Sequence, residues 1–477
     1  MDEPTYLVRE PEPYGARARD PLAVAIGNAS LLGVGYLMLR RWRFAAFSVA
    51  GTVVVVSLVA STARTSYEIV ALVWWVAVTV HGWFLARRSA GQGGSVRGQR
   101  LLALAVTLPV LLAAGLLRYD ASRIGDSVTE ARESGDCAEV SAAQDRVWFG
   151  HRIADAPLSA RGDEVVQDCR RLDTARAQLA SSLTGDTGAL ERGFKTLASV
   201  LAEPGNEKTV EATLNGFLRA LPAEDPCDTV ALTYWLRDRE SSHDVLDRSA
   251  ETARRTAPAA LVECGDDLMG TDDWRQARAQ YERLLDEYPD DGLASRARKG
   301  ARKATLSIEL DNVRSLLAGG DDSQPEYCSH PAKYSGAKPL SKGANRALYY
   351  GHDEYSEDYA AKLPGSWKAK DPTDAVLVVC MGEETFGGSV ETCPYQARSS
   401  GKTTYVTFYK IALPVKVYEL RTGKLVANRK IQISGSSCPA VITYYTSGDI
   451  DPGPSSARYV SESTSDVRAA FRSLINR

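Results

Sequence analysis

The chain has 477 residues, a formal charge of −3 and eight cysteines, enough length for several domains. Charge is unevenly shared: residues 1–118 carry 12 Arg, no Lys and six acids, so the remainder is acidic. The acidic balance of the remainder argues against a nucleic-acid binder, which must neutralise phosphates with clustered Lys and Arg.

Residues 1–20 form an acidic tail that also holds Arg9, Arg17 and Arg19. Four uncharged apolar runs follow within residues 21–118: Leu22–Leu39, Phe44–Ala60, Ile69–Ala86 and Leu101–Leu117. Each approaches the ~20 residues that cross a bilayer, and in lipid such runs are expected as helices. The first is not a signal peptide, because an acidic tail precedes it and no small-residue cleavage site follows before Arg40. Linkers one and three hold seven arginines (Arg40, Arg41, Arg43, Arg87, Arg88, Arg97 and Arg100), against Arg64 alone in linker two. Arginine-rich linkers face the cytoplasm. Four spans therefore predict that the N-terminal tail and everything beyond Arg118 lie outside. His81, beside Trp74, Trp75 and Trp83, reads as an interfacial histidine in an aromatic belt. Gly27, Ala29, Gly33 and Gly35 read as small residues for close helix packing. The Gly91–Gly98 stretch lacks a following Gly-Lys-Ser and reads as a flexible connector.

All eight cysteines, Cys137, Cys169, Cys227, Cys264, Cys328, Cys380, Cys393 and Cys438, follow the last apolar run. An even set confined to one side predicts disulfides in an oxidising compartment. The spacing suggests Cys137 with Cys169 and Cys227 with Cys264. Cys380 with Cys393 and Cys328 with Cys438 is one option among several for the others.

Residues 119–318 show helical periodicity, with stops at Pro204-Gly205, Pro222, Pro226 and Pro289. Within them Leu261, Gly265, Leu268, Trp274, Ala277, Tyr281, Leu284 and Pro289 fall at the spacing of a 34-residue helix–turn–helix. Residues 258–291 thus resemble one tetratricopeptide repeat, with small Gly265 and Ala277 where helices touch and Tyr281 and Leu284 filling between units. The unit departs from the family at Leu261, where an aromatic is usual, and at Cys264. The resemblance implies a helical repeat-like array that binds a protein or peptide on a concave face.

Residues 319–335, with Gly319, Gly320 and Pro325, read as a linker, and residues 336–477 as an α+β domain. Strands are predicted at 375–380, 403–411, 415–419, 425–433 and 440–445. A closing amphipathic helix is predicted at 465–475, giving an antiparallel sheet covered by a helix. Leu377–Cys380, Cys393-Pro394-Tyr395, the 418–425 hairpin and Ser437-Cys438-Pro439 are similar to C-terminal domains of actinobacterial envelope proteins, a likeness that brings no activity. No zinc-ligand spacing, nucleophile elbow, phosphate loop or dinucleotide fingerprint occurs, and Cys328-Ser329-His330 reads as a disulfide cysteine beside a surface histidine. The sequence therefore predicts a non-enzymatic envelope protein without cofactor or metal. Its partners would be the bilayer and a protein, peptide or wall component. The alternative is an envelope enzyme with its site in the β domain.

Overall fold

A computed structural model describes residues 19–62, 65–88, 96–318, 324–351, 359–397, 401–445 and 453–476. The N-terminal tail up to residue 18, most of the Gly91–Gly98 connector and residues 319–323 of the predicted linker lie outside the described residues. The chain divides into two compact units, Met1–Ala257 and Pro258–Arg477.

Among the described residues of the first unit, three helices are long and apolar enough to cross a membrane, where the sequence suggests four. They are α3 (Trp42–Thr62), α4 (Thr65–Arg88) and α5 (Val96–Ser134). Their large apolar side chains point outward: Phe47, Ile69, Leu72, Leu101 and Leu116 are each more than half exposed. A surface of that size would be costly in water.

The first apolar run breaks into α1 (Pro21–Ala29) and α2 (Val34–Met38). Between them Leu31 (φ 63°) and Gly33 (φ 69°) adopt the left-handed conformation, which turns the chain. α2 folds back on α1 so closely that a Cβ on Gly35 would lie 2.1 Å from the Val24 carbonyl oxygen. Asn28, fully buried, holds the fold-back. Its amide donates to the Val78 carbonyl (3.3 Å) and its Oδ1 accepts the Tyr36 N–H (3.1 Å). Hydropathy sees the run's composition but not this turn. His81 is joined to Tyr36 by a 2.8 Å Nδ1···OH contact.

α5 has 39 residues, ~58 Å at ~1.5 Å per residue. After Leu117 its composition becomes amphipathic. Ile124, Val128 and Ala131, at helical spacing, are buried against Val140, Ala143 and Cys169. The helices that follow include α6 (Cys137–Gln144), α7 (Phe149–Ala154), α8 (Ala156–Ser182), α9 (Thr187–Leu201), α10 (Glu207–Arg219) and α11 (Pro226–Asp238). Leu172, Leu179, Leu190, Phe194, Leu197, Leu214, Phe217 and Leu236 interdigitate as their core. The Cys137–Cys169 disulfide ties α6 to α8 (Cα–Cα 5.4 Å). Arg132 on α5 donates to the buried Asn206, which in turn donates to Asp168 on α8. The unit boundary falls within α12 (Arg248–Gly270).

The second unit continues with α13 (Trp274–Glu287) and α14 (Ala294–Leu317). Tyr281, 1% exposed, fills a slot between Gly265 and Gly300, where an added Cβ would lie 2.6 Å and 2.5 Å from its ring. Its hydroxyl donates to Asp266 (2.6 Å). Leu261, Ala277 and Leu284 are buried, Leu268 and Trp274 half-buried, and Pro289 follows the end of α13.

The sheet is mixed rather than antiparallel. Its strands are β1 (Ala347–Tyr350), β2 (Leu377–Met381), β3 (Thr385–Gln396), β4 (Thr403–Glu419), β5 (Lys424–Ile433) and β6 (Ala457–Tyr459). β1 pairs parallel with β2, and β6 parallel with β4; the other pairings are antiparallel. The predicted strands 403–411 and 415–419 are one 17-residue strand that runs through Pro414. Segment 440–445 is not a strand. β2 is buried on both faces, as its unbroken apolar run requires. Leu377, Val379 and Met381 pack with Val467, Phe471 and Leu474 of the C-terminal helix Thr464–Ile475. Val378 and Cys380 face Val313, Leu317 and Tyr327. Part of the predicted linker enters this core: Pro325, Tyr327 and Cys328 are buried, Tyr327 fully.

Two disulfides correct the alternative drawn from spacing: Cys328 pairs with Cys380 and Cys393 with Cys438. Cys380 lies opposite Lys416 of β4 and Cys393 opposite Val406. Ten strand residues at ~3.3 Å each separate them along one edge of β4. A disulfide needs Cα atoms within about 7 Å, so these two cannot bridge. None of the described cysteines is free.

Candidate binding groove

The N-terminal half of β4 extends beyond β2 and pairs with β3, an edge strand that carries Cys393, Pro394 and Tyr395 opposite Val406, Tyr405 and Thr404. Proline is tolerated there because an edge strand has one unpaired side. Segment 437–445 lies beside this hairpin. Cys438 takes a left-handed conformation (φ 52°) that brings its sulfur to Cys393. The Tyr395 hydroxyl donates to the Pro439 carbonyl (2.8 Å), and Arg458 donates to the Thr443 carbonyl. These are side-chain partners for a segment without a ladder, which is how coil backbone is held beside a sheet. Val406, Phe408 and Val460 form a small core beneath, against which Tyr395, Cys438 and Ile442 pack.

Between hairpin and segment runs an open groove of about 780 Å³. It is lined by Cys393, Pro394, Tyr395, Gln396 and Ala397 on one side, and by residues 438–444 with Pro454 on the other. Among the described residues, none that lines it is an acid, a histidine, a lysine or an arginine. Val441 stands 71% exposed at the lip, so the apolar lining is open to a ligand.

General acid–base work needs an ionisable group within hydrogen-bond reach of the reacting atom, and among the described lining residues the ionisable side chains are the tyrosines Tyr395 and Tyr444. Glu391, Cys393 and Cys438 come together nearby, but both sulfurs are committed to the disulfide and are not thiolate ligands. Glu391 instead accepts the Ser437 hydroxyl (2.7 Å).

No family model, curated protein or solved structure matches this chain. The groove therefore stands on its own geometry. Of the residues singled out in the sequence, Cys393 and Cys438 staple it. The eight repeat-spaced residues 261–289 line no part of it. Val441, Tyr444 and the Tyr395–Pro439 bond escaped sequence reading, because 440–445 reads as a strand by its β-branched and aromatic content.

Proposed function

We propose that this protein is a membrane-anchored binding protein of the cell envelope. Its β domain would lie outside the cytoplasm and take an extended, uncharged, proline-rich segment of a partner protein. The observation that carries this reading is the groove whose described lining is proline, tyrosine and aliphatic side chains with Gln396 and Thr443, and no charged one. Aromatic-lined grooves take polyproline-II segments, which arrive preformed and lose little entropy. Residues 258–291 would be one tetratricopeptide-like unit of the same outer region. The test is titration of the full chain in detergent with a fluorescent, neutral proline-rich decapeptide. Saturable binding is expected, and Val441→Asp should weaken it about tenfold or more, because an unpaired charge in an apolar contact costs at least ~1.4 kcal/mol. Absence of saturation in the native chain overturns the reading.

The anchor has three spans and one re-entrant hairpin. Asp20 pairs with Arg100, and its N–H donates to Gln99 (3.1 Å), so the start of α1 lies beside the start of α5. α2 ends beside the Arg40–Arg43 cluster that precedes α3. Both ends of the hairpin thus lie on the arginine-rich side. Its turn is level with mid-span residues: Trp75 donates to Ala29 (2.9 Å) and Thr107 to Ile26 (2.7 Å). Bent backbone at that depth is tolerated where protein covers it and satisfies its carbonyls. Three spans still leave everything beyond Arg118 outside, but they put the tail in the cytoplasm. Arg9, Arg17 and Arg19 then join the seven linker arginines, which strengthens the charge bias. In intact cells, Lys195→Cys should react with a membrane-impermeant maleimide, and Ala16→Cys only after permeabilisation. Labelling of residue 16 in intact cells restores four spans.

A further inference from the structure

α7 begins at a turn that carries two exposed aromatics, its N-cap Trp148 (57%) and first residue Phe149 (61%). Among the described residues from 120 to 257 these are the only large apolar side chains that are exposed. Two polar clamps fix their height on α5. Arg118 pairs with Asp155 (3.5 Å), and the buried His151 joins Asp120 through Nε2 (3.0 Å). The other nitrogen of His151, Nδ1, receives the Trp148 N–H (3.3 Å), so the clamp reaches the exposed turn itself. Arg118 is the first charge after the apolar run of α5, and so marks where that helix leaves the hydrocarbon. Ile153 and Ala154 of α7 share a hollow with Val56, Val59 and Leu72 of the spans, rimmed by Glu68 and Arg118. The turn therefore continues the lipid-facing surface rather than standing clear of it.

We infer that Trp148 and Phe149 insert into the headgroup region of the outer leaflet, forming a second attachment that fixes the helical array on the membrane surface. This rests on the membrane reading above. Amphipathic aromatics are favoured at that depth, where one end is apolar and the other wet. A single helix as the sole connection would leave the array free to tilt, whereas a contact on α7 adds a second point.

The experiment uses the full chain in nanodiscs of phosphatidylethanolamine and phosphatidylglycerol, with a nitroxide on Phe149→Cys, on Leu111→Cys within α5, or on Lys195→Cys on α9. Collision with oxygen and with a water-soluble nickel chelate reports depth. Residue 149 is expected to favour oxygen, between the strong preference at 111 and the nickel preference at 195. If 149 behaves as 195 while 111 reports lipid, the interfacial contact is overturned and the membrane anchor stands. If 111 also reports water, the anchor falls and the inference with it.

Discussion

Replacing Cys328 and Cys380 together by alanine is expected to lower the opening free energy of β2 by about 4 kcal/mol, the loop-closure value for a separation of 52 residues. The bond joins the segment that follows α14 to the strand buried on both faces, so no other element can take its place. Hydrogen exchange of Leu377–Met381 measures the effect, since amides in a core strand exchange through near-global opening. About a thousandfold faster exchange is expected, at ~1.4 kcal/mol per tenfold. The companion double variant Cys393→Ala with Cys438→Ala acts elsewhere. It frees segment 437–445 from β3 and should weaken peptide binding, while β2 keeps its protection. Equal loss of β2 protection in both would show that the staples act on one cooperative block and not on separate stretches of one edge of β4.

The same pair of staples marks where sequence reading stopped. Helix content, the long apolar helices, β2, β5 and the closing helix followed from periodicity, because each buries a face that its own residues define. The first apolar run did not, because hydropathy is indifferent to a turn. The available signals were Asn28, a lone amide in an apolar run, and the glycines at 27, 33 and 35, whose missing side chains admit a fold-back rather than a neighbouring span. β3 was missed because Gly387, Gly388 and Pro394 weaken any strand pattern, yet an edge position tolerates them. The groove was only half legible. Cys393 and Cys438 stand out by residue type, but their pairing depends on β4 being one strand long enough to carry β2 and β3 on the same edge.

Tyr281→Ala should destabilise the α12–α13–α14 packing by about 3–5 kcal/mol, the range for emptying an aromatic site in a core. The ring occupies a slot that exists because Gly265 and Gly300 present no side chain, so nothing nearby can swing in to refill it. Tyr281→Phe should cost only about 1 kcal/mol, since it keeps the ring and loses one hydrogen bond to Asp266, a partly exposed carboxylate already paired with Arg296. Burial and the neighbouring Asp266 push the hydroxyl's pKa upward, so it remains a donor across the neutral range. Gly265→Val should cost about 1–3 kcal/mol by overpacking the same slot. The double variant Gly265→Val with Tyr281→Ala is decisive, because valine then enters space that the ring has vacated. Its cost should fall well below the sum of the single changes, as coupled neighbours require. Exchange of amides in Trp274–Glu287 gives all four values. Additive losses would mean that the glycine and the tyrosine contribute separately, and the spacing by which residues 258–291 resemble a repeat would lose its physical basis in this chain.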